Sequence, residues 1–143
     1  MAKKLGNNYR LFVESATPGV FNEVKGQRDL TPSRSNGSFD TSTKDTGRYG
    51  TKGSGQREVS LSLDLIPDLP DPNGYSRLEA ISNSDPAETV RIQVRVSPYT
   101  SSDIVFDAVV NVDGHDTPMP HNESLTATFS FSIAEAPIVD QLK

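Results

Sequence analysis

The sequence predicts a mainly β protein, a sandwich or barrel with one short helix on its flank and a long polar loop. Three observations carry this. Strict apolar–polar alternation recurs along the chain, most cleanly at residues 57–65, REVSLSLDL, and a period of two marks a strand with one buried face. Pro, Gly, Asn and Asp punctuate the alternating segments, as turns require. Only residues 73–83 place apolar side chains at helical spacing. Several half-buried strands with a single helix fit a sheet closed on itself or folded into two layers.

In chain order, residues 9–15 form the first strand, with Tyr9, Leu11 and Val13 on one face and Phe12 on the other, so both faces are expected to meet protein. Thr17, Pro18 and Gly19 signal a turn, and residues 20–24 return, making 9–27 a hairpin. Residues 28–33 continue extended, with Pro32 confining them to an edge or a bulge. Residues 33–56, SRSNGSFDTSTKDTGRYGTKGSGQ, have Phe39 and Tyr49 as their only large apolar side chains. No helical or strand period is sustained there, so the segment is expected to be a structureless projecting loop. Loops of more than about 12–15 residues without secondary structure are usually functional or disordered.

The strand at 57–65 buries Val59, Leu61, Leu63 and Leu65 and exposes Glu58, Ser60, Ser62 and Asp64. Pro67, Pro70 and Pro72 end its ladder. Asp71 and Pro72 read as the N-cap and first residue of a helix that turns Tyr75, Leu78 and Ile81 inward and closes at Asp85 and Pro86. Three strands follow. Residues 89–97 bury Val90, Ile92, Val94 and Val96 and leave Arg91, Gln93 and Arg95 outside. Residues 103–113 put Ile104, Phe106, Ala108, Val110 and Val112 on one face, the other mixing Val105 and Val109 with Asp107 and Asn111. Residues 124–133 bury Leu125, Ala127, Phe129, Phe131 and Ile133. The tail, 134–143, holds Pro137, Ile138, Val139 and Leu142.

A length of 143 residues with 34% hydrophobic and 23% charged side chains fits one domain, 1–143, around a lean core. There is no cysteine, which excludes disulfides and thiolate chemistry. MAKKLGNN lacks an apolar segment after its basic start, and no apolar run reaches the length of a membrane span, so a reducing, soluble compartment without membrane contact is expected. The glycosylation patterns at Asn36 and Asn122 are then chance matches. The charge is unevenly spread. Residues 1–57 hold ten Lys and Arg against five Asp and Glu, leaving +5; residues 58–143 hold four against fourteen, leaving −10 and a net of −5. Such polarity points to nucleic-acid contact by the basic half or to complementary charge between copies. Lysine is absent between Arg57 and Lys143, and the wet strand faces are Ser, Thr and acid, which suits a surface that does not hold polyanions; Thr also simply favours strands.

No catalytic constellation emerges. His115 and His121 lie near Asp113, Asp116 and Glu123, but their spacing matches no metal-binding framework, so no metal is expected. Ser54 lacks the setting of an activated nucleophile, and Gly47, Gly50, Gly53 and Gly55 lack the spacing of a phosphate loop. Neither enzymatic activity nor a cofactor is expected. Residues 25–57, with seven Lys and Arg against three acids and two aromatics, have the ingredients to hold a single strand, against which stands the acidic remainder of the chain.

Taken in order, residues 6–13 are a Gly-led strand, residues 21–30 read FNEVKGQRDL, residues 33–35 and 40–47 are the polar SRS and DTSTKDTG, and residues 55–62 read GQREVSLS. This order, followed by a short helix and more strands, resembles the major tail tube proteins of long-tailed bacteriophages over most of the chain. The resemblance implies a β-sandwich or barrel of tail-tube type whose copies form hexameric rings stacked into a hollow conduit for DNA. It implies that residues 33–56 are a protruding assembly loop reaching the next ring, with Arg34, Phe39, Lys44, Arg48, Tyr49 and Lys52 as inter-subunit contacts, and that residues 134–143 are a C-terminal arm. Implied partners are further copies of the chain and the tail terminator, tape measure and distal tail proteins, with DNA passing the lumen without specific binding. The implied location is the virion tail, after synthesis in the bacterial host cytoplasm. The tube of a contractile injection device shares this fold. The contrasting reading is a β-sandwich binding module for carbohydrate or single-stranded nucleic acid.

Overall fold

Alternation does build the sheet. The computed structural model describes residues 5–142. After a 3-10 turn at Gly6–Asn8 come β1 (Tyr9–Glu14), β2 (Phe21–Glu23), β3 (Gln27–Asp40), β4 (Lys52–Leu65), α1 (Tyr75–Ser82), β5 (Thr89–Val96), β6 (Ile104–Asp116), β7 (Ala127–Ile133) and β8 (Val139–Asp140). The strands make one antiparallel sheet in the order β2-β1-β5-β6-β7-β4-β3, with β8 also pairing to β6. Its inner face carries Leu11, Val13, Leu61, Leu63, Leu65, Ile92, Val110, Phe129 and Phe131, all at most 2% exposed. Helix α1 packs on β6 and adds Tyr75, Leu78 and Ile81 to that core. Pro32 sits on β3, the last strand of that order, opposite Leu61 of β4, a position of the kind that tolerates proline.

The sheet curls until its β3 end meets β1, and one side chain makes the join. Gln27 Oε1 accepts from Leu11 N–H at 2.8 Å, while its Nε2 donates to the carbonyls of Leu11 and Val24, both at 2.8 Å. The carboxamide thus stands in for the peptide group of a neighbouring strand. The chain enters β3 through Gly26, whose φ of +78° and close approach to Ile66 O, 1.9 Å from where a Cβ would lie, admit only glycine. Replacing Gln27 with Ala removes the side-chain acceptor of the N–H of fully buried Leu11 and one donor to its carbonyl, which keeps Val24 N–H at 3.3 Å. Chemical denaturation should show a loss of about 2–3 kcal/mol.

Four expectations are corrected. The helix starts at Tyr75, not at Pro72, with Gly74 as N-cap residue. Asp71 still serves it: buried at 3% exposure, its carboxylate accepts from the N–H groups of Tyr75 at 3.2 Å and Lys25 at 3.0 Å, tying the helix start to the chain after β2. Strand β6 continues past residue 113 to Asp116, because a register shift between Val112 and Gly114 turns His115 to the core side opposite Phe129. There the imidazole stacks on Phe129, ring centroids 4.4 Å apart, with Nε2 3.0 Å from the Tyr75 hydroxyl. Burial, reinforced by Glu79, pushes that hydroxyl up to about 12. The outer face of β5 is not simply wet, since Gln93 is 3% exposed within an Arg91–Asp107–Gln93–Arg95 network. Phe12, expected to meet protein on that face, is covered by the Arg95 guanidinium 4.9 Å from its ring and by Tyr99.

The largest correction concerns residues 33–56. They are not a structureless loop. Strands β3 and β4 run as one long hairpin, paired from Gln27 with Leu65 out to Asp40 with Lys52.

Candidate assembly site

The hairpin divides at Ser60. From Ser60 to Leu65, β4 pairs on one side with β3 and on the other with β7, and its inward side chains are core. Beyond Ser60 the two strands, among the described residues, take their ladder partners only from each other, through Arg34 with Val59, Ser35 with Glu58, Asn36 with Arg57, Ser38 with Ser54 and Phe39 with Gly53. Almost every residue from 33 to 58 is exposed. With both faces in water the sequence needs no apolar alternation, and the ladder of backbone bonds carries the strands. A slip of register between Asn36 and Ser38 kinks the ribbon.

At the tip, residues 41–51 are held by their own polar groups. Thr41 N–H donates to Thr51 O at 3.0 Å, the two threonine hydroxyls bond at 2.8 Å, and Thr51 N–H donates to Ser42 Oγ at 2.7 Å. Asp40 Oδ1 accepts from Ser42 N–H at 2.8 Å, and those bonds from Ser42 hold its carboxyl below the usual carboxylate range. Thr43 caps a single 3-10 turn at Lys44–Thr46.

The sequence-predicted contact residues fall into two groups. Lys44, Arg48 and Tyr49 are carried by the tip, and Phe39 and Lys52 flank it on opposite strands. Phe39 lies on the backbone of its partner Gly53, where a Cβ would come within 2.5 Å of its Cζ, yet stays 56% exposed; Tyr49 is 82% exposed. Among the described residues no ion pair involves Lys44, Arg48 or Lys52. Arg34 stands apart at the root, where its guanidinium binds Asp140 of β8 in a bidentate pair, Nε to Oδ1 at 3.0 Å and to Oδ2 at 2.9 Å, with Nη2 also on Oδ1. Nothing in the sequence marks a partner 106 residues away.

A second surface emerges from the register. Three rows cross β3, β4, β7 and β6 on the outer face: Ser33, Ser60, Ser132, Asn111; Thr31, Ser62, Ser130, Gly114; and Asp29, Asp64, Thr128, Asp116. These rows hold hydroxyls, one amide, one glycine and three carboxylates, with no Lys or Arg. Across β6 the same face changes character, to Arg91 and Arg95 on β5 and Arg10 on β1. Individual strands showed Ser and Thr in the sequence; only the register shows that they merge into one sheet-wide band. Among the described residues no three His, Cys, Asp or Glu side chains converge as a metal site, and no helix is long and apolar enough to cross a membrane.

Comparison with known proteins places this geometry. A family model described as phage tail tube protein matches residues 5–138. No curated protein sequence matches the chain. Among solved structures, a chain from the tail of an empty GTA particle, refined helically with C6 symmetry, is 18% identical, with 96% of this chain and 98% of that one covered at a TM-score of 0.75. The SPP1 tail tube is 10% identical, covering 92% of this chain and 76% of that one at 0.70. A chain of the 6-fold symmetrised anti-feeding prophage baseplate is 8% identical, covering 99% of each at 0.70. At such identities these likenesses speak to the fold.

Proposed function

Since the chain belongs to the phage tail tube protein family, we propose that it is a structural subunit whose copies close into six-membered rings and stack into a hollow conduit for DNA. The family match over residues 5–138 carries this reading, and the C6 symmetry of the GTA tail supports the ring number. The role is non-enzymatic. The whole chain acts as one domain with the hairpin at 33–56 as its assembly arm and residues 134–143 as a C-terminal arm, of which Ala134, Ile138 and Gln141 bond along β6. Copies joined head to tail suit stacked rings, because interfaces that do not close on themselves propagate. Phe39 and Tyr49 anchor the arm on a neighbouring copy, and Lys44, Arg48 and Lys52 face the acidic body of that copy. Tail terminator, tape measure and distal tail proteins meet the ends and interior of the tube. The protein is made in the bacterial host cytoplasm and ends in the virion tail.

The lumen is lined by the outer rows on β3, β4, β7 and β6. A polyanion gains nothing from hydroxyls and is repelled by Asp29, Asp64 and Asp116, so DNA passes without specific binding. Lysine at the exposed positions Ser60, Ser62 and Ser130 tests this. The triple variant, Ser60→Lys with Ser62→Lys and Ser130→Lys, should still form tubes, because these side chains bury no core. Ejection of DNA from particles carrying it should slow about tenfold at low salt and recover as salt rises. Unchanged ejection would place the lumen on another face.

A further inference from the structure

We propose that Asp140 is a positioning residue for the arm: by clasping Arg34 at the hairpin root, the C-terminal tail fixes the direction in which the arm leaves the barrel. Past the Ser60–Ser132 pair β4 has lost β7, Val59 is its last core residue, and residues 33–45 and 54–58 of the ribbon are exposed. A two-stranded ribbon in water is marginal and twists readily. Its direction is therefore set by what touches its root.

Asp140 is well built for this. The tail follows β7 along the same edge of β6, with Ala134 N–H on Val109 O at 2.8 Å, then residues 135–137 looping out, then Ile138 N–H on Asp107 O at 2.7 Å and Gln141 N–H on Val105 O at 2.9 Å. Backbone bonds thus hold Asp140 on both sides to a strand running through the core. Arg34 meets it with a bidentate fork, which fixes orientation as well as distance. The side chains are 35% and 20% exposed, so the pair is partly sheltered from screening. Hydrogen bonds from Arg34, then the charges of Arg34 and of Arg57 nearby, hold the Asp140 carboxyl below the ordinary carboxylate range. The adjoining cleft is lined by Ser33, Ser35 and Ser132 together with Glu58, Val59 and Ile133, and among the described residues the ion pair at this root is that of Arg34 with Asp140. Arg34 is therefore occupied within its own subunit, unlike Lys44, Arg48 and Lys52.

The effect on assembly rests on the arm reading above; the clasp itself is measurable without it. In the full-length monomer Asp140→Asn should leave the melting temperature nearly unchanged. Amide exchange in residues 33–40 and 52–58 should quicken about fivefold, the weight of a partly screened bidentate pair. Tube elongation, followed by light scattering, should slow by a similar factor or more. Exchanging the charges, Arg34→Asp with Asp140→Arg, should restore both, which a merely structural loss would not. Unchanged exchange in Asp140→Asn, unchanged elongation despite faster exchange, or failure of the exchanged pair to recover would each overturn the proposal. If instead arm deletion leaves tube growth intact, the arm reading falls, while hydrogen exchange still reads the clasp.

Discussion

A variant lacking residues 36–55, with Gln56→Asn and Arg57→Gly closing the gap, is expected to fold as a barrel and to form no tubes. The cut falls where Ser35 pairs with Glu58, leaving a two-residue connection between paired strands. Asn-Gly there is the preferred chemistry for such a turn. The removed segment contributes nothing to the buried core, whose members on β4 begin at Val59, so circular dichroism and the denaturation midpoint should stay close to those of the parent. Growth needs the arm because the tip carries exposed Phe39 and Tyr49 together with cations that pair with no acid among the described residues. Light scattering should therefore remain flat at concentrations where the parent polymerises. Unfolding of the variant would instead assign the hairpin to the core.

Replacing Arg91 with Ala should cost about 3–5 kcal/mol and lower the melting temperature by on the order of 10–20 °C. Asp107 is 2% exposed, and its carboxylate is held by Arg91 through Nε at 2.9 Å and Nη2 at 2.7 Å, with Gln93 Nε2 adding a bond at 3.1 Å. Without Arg91 a buried anion keeps only the amide. The guanidinium also covers Phe21, 5.4 Å from the ring centroid, so some packing goes too. The loss is a large fraction of the roughly 5–15 kcal/mol that holds a domain together. Adding Asp107→Leu to Arg91→Ala should recover much of it, because the cost lies in the unpaired charge rather than in a missing contact. Both variants can be scored by thermal and chemical denaturation. A single variant as stable as the parent would show that water reaches Asp107.

What the sequence displays depends on how many faces of a strand are buried. Val59, Leu61, Leu63 and Leu65 alternate because one face of β4 is core and the other is wet, and that strand was legible residue by residue. The same strand ten residues earlier was not. At Lys52, Gly53 and Ser54 both faces meet water, so selection for alternation vanishes, and only Phe39 opposite Gly53 betrays the pairing. His115 was hidden by a register shift: an unbroken period of two would send it to the outer face with Val109 and Asn111, and the shift between Val112 and Gly114 turns it to the core side instead. Gln27, Asp71 and the Arg34–Asp140 pair act through partners 16, 46 and 106 residues away, and a lone polar residue carries no local mark of such a partner. The candidate arm was visible as composition; its form and the clasp at its root were not.

Cryo-electron microscopy of polymerised protein tests the central claim most directly. Six-membered stacked rings should appear, with density for residues 36–55 crossing from each subunit to the next ring and the Ser60, Ser62 and Ser130 face turned to the lumen. A protein that stays monomeric at high concentration, or tubes in which the hairpin folds back on its own subunit, would contradict it.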